Sequence, residues 1–186
     1  MRLAFVAGVL ALMCAVGVAH AQTIAPRGDA LIMAACFNGD PARIEPAARA
    51  AGGAPAAGQG FADSHAGIER ARHRGVWSST AGWTLGYSEG ELAGAPARSC
   101  YGEQSSQTVD GLLAEIAGRW PLYAVMRPTA SASGRGVRET YAASIQGEDA
   151  LVIVEWEGPR EQAFPSVAVI TFPRQSTASA VRAPAL

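Results

Sequence analysis

The chain has 186 residues, 49% of them hydrophobic, and a formal net charge of −1. That length can bury the core of one domain, and the balance of charge argues against nucleic acid or an anionic membrane surface as a partner. All fifteen basic residues are arginine, which excludes lysine as a Schiff-base former or general base.

Met1-Arg2 precedes an unbroken run of apolar and small residues, Leu3 to Val18, and Ala19-His20-Ala21 has the small-x-small pattern of a cleavage site. This predicts a signal peptide over 1–21 and a mature chain that begins at Gln22. The protein is then periplasmic or secreted, with no membrane insertion after cleavage. Cys14 leaves with this segment. Cys36 and Cys100 remain as an even pair in an oxidising compartment, so a Cys36–Cys100 disulfide is expected. Without a CxxC spacing these two sulfurs do not suggest a zinc site.

Taken in order, Asp29 is placed to cap a helix through Ala30–Phe37. It is apolar nearly all round, hence buried, and Asn38-Gly39 stops it. Asp40-Pro41 restarts a helix. Pro46 predicts that it breaks into one or two short turns ending by Ala51. Gly52 to Gly60 reads as a flexible connection without the spacing of a phosphate-binding loop. Asp63 to His73 reads as a polar helix on which His65, Glu69 and His73 recur every four residues. Two imidazoles and a carboxylate on one face are credible ligands for a divalent ion. Arg70, Arg72 and Arg74 crowd the same segment and would repel a cation, so a solvated face without metal is the expectation.

Trp83 to Tyr87 alternates like a strand, Glu89 to Pro96 reads as a loop, and Arg98 to Gln104 as a second strand carrying Cys100. Trp77, Trp83, Tyr87 and Tyr101 concentrate aromatic rings here. Such rings can line a glycan or peptide groove, but packing is their commoner use. Thr108 to Trp120 is the clearest helix: Thr108 caps it, and Val109, Leu112, Leu113, Ile116, Ala117 and Trp120 form one apolar stripe that Pro121 ends. Leu122 to Met126 reads as a short extended segment and Thr129 to Gly136 as a loop mobile by composition. Val137–Ile145, Ala150–Trp156 and Ser166–Phe172 read as strands. Pro173 to Leu186 has the composition of a disordered tail.

The last three strands read as an antiparallel meander. A four-residue turn over 146–149 places Ile145 opposite Ala150, Tyr141 opposite Val154 and Arg138 opposite Glu157. One face then carries Tyr141, Ala143, Ile145, Val152, Val154 and Trp156, to lie against the 108–120 helix. The other carries Arg138, Thr140, Ser144, Leu151, Ile153, Glu155 and Glu157, apolar at one end and charged at the other. Glu155 and Glu157 would sit about 7 Å apart along one strand. Paired carboxylates can do acid–base or glycosidase chemistry, but two exposed acids beside an arginine are the plainer reading.

The sequence therefore predicts a single α+β domain over 22–172: an antiparallel sheet of four or five strands with helices packed on one face. It shows no nucleophile elbow and no cofactor loop. The leading function is an exported, non-catalytic binding module for a protein or cell-envelope ligand, with no cofactor. Its expected ligand surface is Arg138, Leu151, Ile153, Glu155 and Glu157. The alternatives are a hydrolase acting on envelope material through carboxylates or a metal, and a structural component of an envelope assembly.

Overall fold

The computed structural model describes residues 28–38, 40–56, 68–103, 107–131 and 133–173. The predicted signal peptide, His65 and the tail beyond Pro173 lie outside these residues.

Helix α1 spans Gly28–Cys36. With almost no polar face it buries Leu31, Ile32, Met33, Ala35 and Cys36, and Phe37 just beyond its end. The Asn38 side-chain amide turns back to donate to the Ala34 carbonyl. A 3-10 turn over Pro41–Arg43 leads directly into α2, Ile44–Ala50. Asp40 starts that turn, its carboxylate accepting from the Ala42 N–H at 3.0 Å. Pro46 does not interrupt α2, because it lies in the first turn, where a helix has no internal acceptor for the missing N–H. Helix α3 spans Val109–Ala117. The Thr108 hydroxyl caps it by accepting from the Gly111 N–H at 3.3 Å, and Val109, Leu112 and Ile116 are fully buried.

The strands are β1 (Ala54–Pro55), β2 (Glu69–Ser78), β3 (Thr84–Leu92), β4 (Ala95–Glu103), β5 (Tyr123–Ala124), β6 (Thr129–Ala130), β7 (Val137–Ile145), β8 (Glu148–Trp156) and β9 (Ser166–Phe172). All pair antiparallel in one sheet of order β1-β2-β3-β4-β9-β8-β7-β5, with β6 also on β7. The α+β expectation of four or five strands is thus overturned. Among the described residues the protein is mostly β, a nine-stranded antiparallel sheet with three short helices. Three of the strands are two residues long, too short to carry any alternation that a sequence could display.

Two longer elements also depart from the local reading. The acidic stretch Glu89 to Pro96, expected as a loop, is the tip of the β3–β4 hairpin. Ala93 and Gly94, at φ of 50° and 81°, form its tight two-residue turn. The polar helix expected to run to His73 is a strand from Glu69 onward, with His73 opposite Glu89 and Trp77 opposite Leu85. Its arginine-rich sequence has no apolar period, so pairing with β3 decides its conformation. One register irregularity accompanies it, a bulge between Glu69 and His73, within which Arg70 sits at a φ of 48°.

The sheet is two meanders, β2-β3-β4 and β7-β8-β9, joined where β4 meets β9 with Cys100 opposite Val169. Strand alternation sorts the side chains onto two faces. On the inner face Trp77, Leu85, Val152, Val154, Val167 and Val169 share one core with the buried residues of all three helices. Gly102 lets α1 approach, since a Cβ there would come within 2.2 Å of Ile32 Cγ1. On the outer face Ala97, Tyr101, Ala168 and Ile170 are buried, and Leu151 and Ile153 are half-buried.

Candidate functional site

The outer face of β7 and β8 is where the sequence places a ligand surface, and its geometry depends on register. The turn between these strands is two residues, Gln146-Gly147 at φ of 53° and 80°, not four. Ile145 therefore pairs with Glu148, Tyr141 with Val152 and Arg138 with Glu155. The slip from expectation is two residues. Because side chains alternate with period two, each keeps its face and changes only its partner. Arg138, Leu151, Ile153 and Glu155 consequently do share the outer face.

Arg138 Nε donates to the Glu155 carboxylate, whose side chain is only 9% exposed. Glu157 belongs elsewhere. It lies just past β8 and is exposed. It accepts from the Ser133 hydroxyl at 2.9 Å and approaches Arg135 at 3.7 Å. Ser131 accepts from the Gly136 N–H at 2.9 Å in the same turn. Within the segment read as mobile from composition, Ser131, Ser133 and Gly136 are thus hydrogen-bonded. The two acids do not share an environment: one is paired and nearly buried, the other holds a loop.

The sequence reading missed two members of this surface. Tyr123 of β5 lies opposite Ala142, which lies opposite Leu151. Val125 donates its N–H to the Thr140 carbonyl at 3.1 Å, and Thr140 lies opposite Ile153. Tyr123 and Val125 are 67% and 46% exposed. The outer face thus carries Tyr123 and Val125 at the β5 edge and, across Ala142 and the buried Thr140 of β7, Leu151 and Ile153, with the Arg138–Glu155 pair at one end. Its only sequence signal is a short apolar segment between two prolines, Pro121 and Pro128.

The other candidates resolve differently. Trp77, Trp83, Tyr87 and Tyr101 are all buried, so these rings build the core and do not line an open groove. Glu69 and His73 lie on β2, opposite Glu91 and Glu89, with His65 outside the described residues. The helical face that would have gathered them does not exist. Among the described residues no three His, Cys, Asp or Glu side chains are grouped to hold a metal. A cavity of about 20 Å³ is walled by the Cys36–Cys100 disulfide, Tyr87 and Arg98, room for about one water. A second, of about 100 Å³, lies beside Glu89 and Glu91.

Two polar clusters sit on the inner face. Arg160 donates to Asp110 and Glu139, each at 2.7 Å, and lies 5.0 Å over the Trp156 ring, while Tyr141 donates to Glu139. This ties the start of α3 and the β8–β9 connection to β7. Near the disulfide, Arg98 lies 3.9 Å from Glu89 and 3.6 Å from Glu148. Burial, reinforced by Glu89, pushes the Tyr87 phenol up to about 12. Its neutral form is therefore favoured in the folded protein. That contribution is intact below the ordinary tyrosine value of about 10 and is lost as pH climbs from there towards 12. With no lysine in the chain, tyrosines dominate this window. Stability measured by denaturant titration should fall across it, and Tyr87→Phe should make the decline shallower. An unchanged slope would refute the assignment.

The Cys36–Cys100 disulfide is present, with Cα atoms 5.2 Å apart. Among the described residues no helix is long and apolar enough to cross a membrane. No family model matches the chain, and no curated protein or solved structure matches it at a significant level.

Proposed function

We propose that this protein is an exported binding module that takes a protein or cell-envelope ligand on the outer face of β7 and β8. One observation carries the reading: half-buried Leu151 and Ile153 share with the exposed Tyr123 and Val125, across β7, the face opposite the three described helices. Exposed apolar surface of this kind commonly marks an interaction site. Arg138 and Glu155 at its end add directional contacts that select among partners. The disulfide fits an oxidising compartment, which supports export and a periplasmic or extracellular ligand.

The test is retention of envelope components by the immobilised protein. Arg138→Ala and Leu151→Ser should each weaken a retained ligand by about tenfold or more in Kd, the size of an interface hot spot. Arg119→Ala, on an exposed side chain two residues past the end of α3, should leave it unchanged. A ligand indifferent to both outer-face substitutions would place the site elsewhere.

A further inference from the structure

We infer that the β5 edge is a self-pairing surface, and that two copies of this chain join antiparallel about a two-fold axis through Ala124. The inference does not depend on the ligand surface proposed above. In the sheet order β5 is terminal. Its inward partners define the hydrogen-bond phase. Val125 bonds to Thr140, and Tyr123, two residues away, lies opposite Ala142 in the same phase. Ala124, between them, therefore directs its own N–H and C=O away from β7. Among the described residues it presents one unpaired donor and one unpaired acceptor, the minimum needed to add a strand.

The segment is complementary to itself. Pairing Ala124 with its copy exchanges two backbone hydrogen bonds across the axis. Tyr123 then faces Val125 of the second copy, twice over, on the outer face. Aromatic against β-branched is among the favourable cross-strand pairs. The one charge in the segment, Arg127, lies past the bend at Met126 and outside the paired stretch, so no like charges meet. Tyr123, Val125 and Met126 are three of the four large apolar residues that stand exposed among the described residues. Pro121 and Pro128 bracket the stretch and bar pairing beyond it.

The opposite edge of the sheet makes the contrast. Beside two-residue β1, strand β2 carries Arg70, Arg72 and Arg74 in sequence and is bulged between Glu69 and His73. Charges and bulges are the devices that keep an edge from pairing; over Tyr123–Val125 the register on β7 is unbroken, and the bulge on this edge falls only between Val125 and Thr129. In the joined pair the outer faces of two copies run into one another through the Tyr123–Val125 contacts.

Sedimentation of the exported protein over a concentration series should show the average mass rising towards twice that of one chain. Ala124→Pro removes the outward N–H and should hold the mass at one chain, as should Val125→Asp. Ala124→Cys under mild oxidation should give a covalent dimer, since hydrogen-bonded antiparallel partners stand about 5.5 Å apart, within disulfide reach. The parent protein and Glu161→Cys, exposed elsewhere, run in parallel as controls. The inference is overturned by a single-chain mass throughout the series, or by a doubled mass that both edge substitutions leave intact. Cross-linking of Ala124→Cys no greater than that of the controls would also overturn it, and this readout does not rely on Ala124→Pro folding.

Discussion

Reduction of the Cys36–Cys100 bond is expected to cost about 4 kcal/mol of folding stability, the chain-entropy value for a loop of this length. The bond joins the last residue of α1 to the middle of β4 across a sequence separation of 64. Within that loop lie α2, β1, β2 and β3. In the unfolded chain the crosslink removes the freedom of all these segments at once. In the folded protein it fastens α1 to the strand at which the two meanders meet. The expected loss is a large fraction of a typical domain's 5–15 kcal/mol. Denaturant titration of oxidised and reduced protein measures it, and Cys36→Ser with Cys100→Ser reproduces it without reductant. Unreduced, denatured protein that alkylates fully at both sulfurs would show that the bond does not form. A bond that forms while leaving the midpoint unchanged would show that apolar packing alone holds α1.

Phe37→Ala should be nearly as damaging, at about 3–5 kcal/mol, the range for removing a buried aromatic ring. Phe37 is fully buried, and its ring stacks on Trp120 with centroids 4.9 Å apart. It sits just past α1, and Trp120 just past α3, so the contact locks together two helix ends that are far apart in sequence. Truncation leaves a cavity that neither end can collapse to fill, because the disulfide holds one and Pro121 constrains the other. Phe164→Ala is the control, since Phe164 is 65% exposed and should shift stability by no more than about 0.5 kcal/mol. Comparable effects from the two substitutions would refute the packing. Phe37 adjoins Cys36, so combining this change with reduction should give a total that departs from the sum of the two.

Local chemistry explains what could be read from the chain. The stripe from Val109 to Ile116 and its Thr108 cap identify α3, since periodicity and capping act within a few residues. The β-branched runs of β8 and β9 identify strands in the same way. The face of each side chain on β7 and β8 was legible even though the turn was misjudged, because a slip of two residues preserves alternation. Arg138's partner was not legible. Gln146 at positive φ is an uncommon first residue for a two-residue turn, where Asn, Asp or Gly is the usual signal. The Arg70–Arg74 stretch fits helix and strand templates equally, and Glu89 and Glu91 have little strand propensity of their own.

The sequence by itself determined α3, the three C-terminal strands, the two faces of that meander and the pair of cysteines available to bond. Only the tertiary structure decided that β9 inserts beside β4, that β5 and β6 both pair along the edge of β7, and that the nine strands of the described residues form one sheet. Such pairings join residues tens of positions apart through backbone groups that every residue carries, so they leave no local mark in the sequence. The shared face of Leu151, Ile153, Tyr123 and Val125, and the free edge at Ala124, follow from that pairing: which strand ends the sheet is a property of the whole arrangement, not of any one segment.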